Sequence, residues 1–528
     1  KKFCVALLAA AMVAGSALCA SAADVKFSGS YYAQGFMADN WTLGNEDNAT
    51  TSALYGQRLR MGMEFKVAEG LTLNTRFDAL ERVWGEQPAA AAPSPGSSGW
   101  TGGQAATTER NISWERAYVT FNALYGVFDV GYQQSRAWGT CAFCDDFDSD
   151  AGIHYRYMMG PWTFGLEWEK RAGAEAYSLA GVTTAYGEGS RQGGYTVGGT
   201  DNDHDVYHVY AIYRWATGQA GIRYELDRDA TNGTTGTTDA PYATATGIGV
   251  PWVSTFHEIA PYLQWVSGPF ALEAEFRYIW GETDYDGSTP DIDRRGWDLY
   301  LNGKYTMGAF YGGLEFCYIT GDDPGTTDKN EAGVLGGDGW DPLLMFGNNF
   351  FHKWMGAMGS GTAWINSGTG TPAVNSIERN LMMVKPYIGW KVNPQLEIVA
   401  QYAWLKADEV ASNWDDEYGK EFDIYATYKI YNNLTYTVGF GYFWTGDWFK
   451  GTPAQNFNVD DNYLVMNALN FASKRTVRQF AAHEPPGEGA LPGALLWIPF
   501  GRLRARATRA HRRDAGACLR LDGNWPGV

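Results

Sequence analysis

Between Tyr55 and Trp84 the chain alternates oily and polar residues through two stretches of about ten residues or more, and this pattern narrows the available folds more than any motif does. From Gln57 onward, Leu59, Met61, Met63, Phe65 and Val67 alternate with Arg58, Arg60, Gly62, Glu64 and Lys66. A period of two marks a strand with unlike faces. After the turn at Glu69-Gly70, Leu71, Leu73, Thr75, Phe77 and Ala79 alternate with Thr72, Asn74, Arg76 and Asp78, completing a tight hairpin. One such hairpin would suit a soluble sandwich equally well, with its oily face inward. Repetition at this length decides otherwise: soluble strands usually run about 5 or 6 residues, whereas a strand crossing a bilayer needs roughly 9 to 11.

The unit recurs as far as residue 471. Candidate strands lie at about 25–37, 55–68, 71–84, 111–123, 126–138, 151–159, 162–172, 204–215, 219–229, 255–266, 270–282, 294–305, 309–321, 379–391, 395–407, 419–430, 434–445 and 461–471. The count is about eighteen, with sixteen as the alternative. Short links with Gly, Pro or Asn turn chemistry, such as Leu124-Tyr125-Gly126, Gly160-Pro161 and Asn432-Asn433, alternate with long polar ones. Short turns on one rim and long loops on the other describe the periplasmic and extracellular ends of an outer-membrane barrel. Both ends of the strand series fall on the short-turn side, so the strand from Val25 can pair with the one ending at Phe471 and leave no free edge. The expected fold is all-β, a transmembrane antiparallel up-and-down β-barrel. A chain with 65 Gly, 22 Trp, 32 Tyr and 26 Phe suits long strands, turns and aromatic girdles.

Assigning faces strand by strand sends Trp162, Phe164, Leu166 and Trp168, or Tyr436, Val438, Phe440 and Trp444, to lipid. The lumen set comprises Arg58, Arg60, Glu64, Arg76, Asp78, Arg82, Arg116, Asp129, Arg156, Glu167, Glu169, Arg223, Glu225, Glu273 and Glu275. Early strands supply most of the arginines and later ones most of the glutamates. Two readings stay open: opposed basic and acidic walls setting a field across a pore, or residues that pair with one another and stiffen the wall.

Lys1-Lys2, the apolar run from Phe3 to Leu18 and Ala20-Ser21-Ala22 read as a secretory signal peptide, so residues 1–22 stand apart from the barrel at 23–471. Residues 472–528 break the alternation with a basic, Pro- and Gly-containing tail, expected to be disordered or foreign to the barrel. A formal net charge of -18 excludes a basic nucleic-acid binder. The connection 322–378 is long enough to hold one more hairpin or to fold over the mouth. No G-x-S-x-G motif accompanies the histidines, so no catalytic residue is assigned and the protein is not expected to be an enzyme. His204 and His208 with Asp201, Asp203 and Asp205 could form a metal-binding rim, but exposed loop residues explain them more simply, and no metal ligand set is assigned.

The start Asp24-Val25-Lys26-Phe27-Ser28-Gly29-Ser30, the hairpin series and the Phe-ended strand Asn462-Tyr463-Leu464-Val465-Met466-Asn467-Ala468-Leu469-Asn470-Phe471 resemble the Gram-negative outer-membrane porins. The strand count is similar to that of the substrate-selective members. The resemblance implies the cell outer membrane as location and passive diffusion of small hydrophilic solutes or ions as activity. It also implies a homotrimer and contact with outer-membrane lipid and lipopolysaccharide. A plugged or adhesive barrel, or the barrel of an export or electron-transfer complex, is the alternative. In porins the third external loop folds inward, here about Gly139 to Asp150 with Cys141, Cys144, Asp145, Asp146, Asp148 and Asp150. The C-x-x-C pair in an exported chain reads as a small disulfide. Haem attachment would need His where Asp145 stands. The acidic run either faces the pore or solvates the loop. It offers calcium a weak set of oxygens without the EF-hand spacing, and no other cofactor is expected.

Overall fold

The computed structural model describes residues 24–40, 52–84, 112–135, 138–140, 142–143, 149–172, 203–230, 252–285, 290–333, 340, 342–346, 380–454, 456 and 458–473. Dyad patterning produces β1 (Asp24–Asp39), β2 (Ser52–Ala68), β3 (Leu71–Val83), β4 (Ile112–Ala123), β5 (Gly126–Gln134), β6 (Ser149–Met159), β7 (Trp162–Ala172), β8 (His204–Trp215) and β9 (Gly218–Asp229). The series continues with β10 (Trp252–Ser267), β11 (Phe270–Tyr285), β12 (Ile292–Met307), β13 (Phe310–Ile319), the two-residue β14 (Lys329–Asn330), β15 (Leu381–Lys391), β16 (Leu396–Lys406), β17 (Glu417–Tyr431), β18 (Leu434–Thr445) and β19 (Asn462–Ala472). Apart from β14, the strands pair antiparallel in sequence order, and β1 pairs with both β2 and β19, so eighteen strands close into a ring. Tyr31 stands opposite Phe471 and Phe36 opposite Met466 in the closing seam. Ser473 N–H donates to Gly29 O at 2.8 Å just beyond it.

The outside is oily. Leu166, Ile222, Val438 and Ile388 lie exposed at mid-strand. Aromatic pairs flank them at the short-turn rim, Trp162–Tyr213 and Phe270–Tyr305 at 4.8 Å and Phe310–Trp390 at 5.7 Å. At the long-loop rim stand Trp297–Tyr318 at 4.6 Å and Tyr442–Trp444 at 4.8 Å. Two aromatic girdles around an apolar band are how a barrel surface meets a bilayer.

Four expectations need correction. At the β4–β5 turn the left-handed residues are Leu124 (φ 49°) and Tyr125 (φ 63°), while Gly126 opens the next strand. β5 stops at Gln134 rather than 138, because Trp138 has already turned into the barrel. The connection after β13 makes no hairpin in its described part: β14 pairs in parallel with β12 through Asp293↔Lys329 and Arg294↔Asn330, and residues 342–346 enter the lumen. Finally, the interior is not uniformly polar. Tyr32, Phe36, Trp138, Phe143, Trp340, Leu343 to Phe346, Tyr418, Phe443 and Trp448 form a buried apolar cluster inside the ring. Inward segments bring their own oily side chains and meet oily partners on the facing wall, and a second apolar cluster of Tyr311, Tyr387, Val399 and Tyr425 lines the wall apart from them.

Candidate functional site: the inner wall and its infolded loops

Cross-strand register sets the inner wall, because directly opposed residues share a face. On β2–β4, Arg60 grips Asp78 with two hydrogen bonds of 2.7 Å, and Arg58 lies 3.3 Å from Asp78 and 3.8 Å from Glu81. Arg76 faces Arg116 across the strands and lies 4.0 Å from Glu115, while Glu64 takes Lys26 at 3.3 Å. Arg82 does not share this face. Leu80 sits at φ 55° in a bulge where β2 and β3 shift register, so Arg82 pairs with outward-facing Gln57 and Glu81 takes the inward place. Alternation alone carries no sign of an extra residue, which is why Glu81 went unpredicted and Arg82 misplaced.

On the adjoining arc the register lines up Asp129, His154, Glu167, His208, Glu225 and Glu258 in one row across β5–β10. His154 lies 3.9 Å from Glu167 and 3.1 Å from Glu169; His208 lies 3.5 Å from Glu167 and 2.8 Å from Glu225. Arg156 closes one end on Asp129 at 2.8 Å. Arg223 bridges Glu225 and Glu258, each at 3.1 Å, and Arg277 pairs with Glu258 beyond. Neither histidine was assigned to the wall from sequence, although each falls at an inward position of an alternating strand.

Two segments fold against this wall. In the β5–β6 connection, Trp138 inserts between Tyr210 and Tyr262 with ring centroids 5.5 and 5.1 Å away, and its indole N–H donates to Ala260 O at 2.8 Å. The Thr140 N–H and hydroxyl both donate to Glu275, at 2.7 and 2.6 Å, and Arg277 donates to Phe143 O. Glu273, next inward, accepts from Gln264 at 3.5 Å. Asp150 also points inward, opposite Gln133. Cys141, Cys144, Asp145, Asp146 and Asp148 lie outside the described residues, as do Asp201 and His352.

The second segment docks on β15–β18. Leu344 N–H donates to Asp423 at 3.1 Å, and Met345 and Phe346 N–H donate to Glu421 at 2.8 and 2.9 Å. Lys385, paired with Glu315 at 2.9 Å, donates to Pro342 O at 2.8 Å. Gly439 and Gly441 make room, since a Cβ at Gly439 would lie 3.1 Å from Leu344 Cδ1 and one at Gly441 3.4 Å from Met345 Cε. Glu421 and Asp423 were not singled out from sequence. Their signal is an acid-x-acid doublet at inward positions, the same pattern as Glu167/Glu169 and Glu273/Glu275.

A closed ring of strands with an oily girdled exterior, a charged inner wall and loops folded within defines an outer-membrane channel. A model of the Gram-negative porin family matches residues 6–338, and the chain belongs to that family. It is therefore an outer-membrane porin, a barrel through which small solutes diffuse. No curated protein sequence matches it. Among solved structures it is similar to Pseudomonas aeruginosa OpdQ (12% identity, 85% of this chain and 98% of that chain covered, TM-score 0.45). It is also similar to Acinetobacter baumannii OccAB4 (11%, 85% and 98%, 0.46) and to a BenF-like porin from Pseudomonas fluorescens Pf-5 (11%, 85% and 99%, 0.44).

Proposed function

We propose that the pore discriminates in favour of small hydrophilic solutes that carry charge, leading them between the arginine-rich arc of β2–β4 and the carboxylate–imidazole row of β5–β10. The supporting observation is the unlike composition of the two arcs, each held in place by its own cross-strand pairs. Pairing fixes the side chains without erasing the contrast: Arg58, Arg60, Arg76 and Arg116 crowd one side, and Glu167, Glu169, Glu225 and Glu258 the other. Rings of fixed charge select ions in channels by this means. Following the family resemblance, the barrel works as a homotrimer seated among lipopolysaccharide and phospholipid.

Reversal potential in a salt gradient across a planar bilayer tests the reading. Arg58→Gln with Arg60→Gln removes two cations from one arc, so selectivity should move towards cations. Unchanged selectivity and conductance in that variant would take the arginines off the conducting path.

A further inference from the structure

The geometry points to a divalent-metal site of the zinc class on the inner wall, formed by His154, Glu167 and Glu169. His154 and Glu167 are directly opposed on β6 and β7, and Glu169 is two residues further along the same face. One nitrogen of His154 and one oxygen from each carboxylate lie within 4.8 Å of one another, and all three residues are buried. Metal–ligand bonds of roughly 2.0–2.2 Å require ligand atoms about 3 to 3.5 Å apart, so the site closes with small rotations of two glutamate side chains.

Three features support an ion rather than a plain hydrogen-bonded cluster. First, His154 turns one ring nitrogen to Glu169 at 3.1 Å and the other to Glu167 at 3.9 Å. A neutral imidazole has one N–H, so its second nitrogen would bring a lone pair to a carboxylate; a cation between them answers both. Second, the surrounding contacts orient the ligands. Ser135 Oγ donates to Glu169 Oε2 at 2.7 Å, which leaves Oε1 facing His154, and His208 stands 3.5 Å from Glu167 and 2.8 Å from Glu225. Partners of this kind fix ligands in metal sites. Third, the residue opposite Glu169 is Gly152, where a Cβ would come 2.7 Å from Trp168 O and also within 3.3 Å of His154 Nε2 and 3.4 Å of Glu169 Cγ. Absence of that carbon keeps the space between two ligands open. An imidazole with two carboxylates suits zinc and its neighbours, whereas magnesium and calcium take all-oxygen shells.

Binding does not depend on what the pore conducts, so its test stands apart from the one above. The refolded full-length chain is titrated with zinc chloride by calorimetry and with cobalt(II) by visible absorption. One zinc per barrel is expected, with cobalt bands that zinc abolishes and magnesium does not. His154→Asn and Glu169→Gln, confirmed as folded by heat-modifiable mobility, should each weaken binding by roughly 10- to 100-fold or more. His204→Ala, at a strand end with Asp227 and Asp229, should leave it unchanged. Absence of zinc uptake and cobalt bands in the unmutated chain would overturn the site, as would binding that survives both ligand variants or is lost with His204→Ala.

Discussion

At the scale of single residues, the inner carboxylates do two kinds of work. Glu167 and Glu169 answer histidines, whereas Glu275, Glu421 and Asp423 accept backbone N–H groups from inward-folded segments. A strand that offers two acids on one face presents four acceptor oxygens to a loop whose amides have no ladder to join, and each such charge-assisted bond is among the stronger kinds. Beyond the membrane band, Asp322 accepts from Glu331 N–H at 3.0 Å and sits beside that residue's carboxylate. Burial first, and then this neighbour, push its carboxyl up to about 6 from 3.8. Nearby Glu409 is raised too, by burial and then by the charges of Asp408, Asp323 and Glu331. A folded value above the unfolded one gives stability that is complete below about 3.8 and lost as pH rises through about 6. Hydrogen exchange over residues 320–333, corrected for intrinsic rates, should therefore be slower near pH 5 than near pH 7.5, on the order of what linkage allows for one group. Asp322→Asn should remove that difference.

Individual elements carry the cost of irregular turns and the benefit of missing side chains. Leu124 and Tyr125 both have positive φ, the geometry of a hairpin turn that favours Asn-Gly, and both side chains stand in the open at 75% and 98% exposure. Replacing them with Asn-Gly loses little packing and relieves two left-handed residues at about 1–2 kcal/mol each. Urea unfolding in detergent should show a gain of about that size, and no gain would mean the turn carries little strain. Segment 342–346 is seated by what β18 lacks. A Cβ at Gly441 would fall 2.7 Å from Asp423 Oδ1 and 3.4 Å from Met345 Cε. Gly441→Val should lever the segment off the wall and raise single-channel conductance; an unaltered conductance would show that the segment does not narrow the path.

For the whole molecule, closure is the property on which the rest depends. β19 is hydrogen-bonded to β1 on one side and β18 on the other, so it completes a ring in which each long strand has two neighbours. In lipid an open edge leaves backbone groups unsatisfied, each costing several kcal/mol. Deleting residues 462–473 should abolish the compact, heat-modifiable band on electrophoresis. A variant that kept it would show that the barrel can close through other strands.

The strand series, its even count, the two rims and the lipid-facing side chains were legible in the sequence, because a pleated strand between oil and water prints its two faces at a period of two. Most of the inner-wall charges could be placed by the same rule. What the alternation could not carry is any departure from it: the Leu80 bulge that turns Arg82 outward and Glu81 inward, or the positive φ at Leu124 and Tyr125. Nor could it show which residues meet across strands, since the row from Asp129 to Glu258 depends on the register of five hairpin and loop connections. The family resemblance implied an inward third loop, but the contacts that seat residues 138–140, 142, 143 and 342–346 were decided only in three dimensions, where distant amides found carboxylates that the chain alone presents as bare charge.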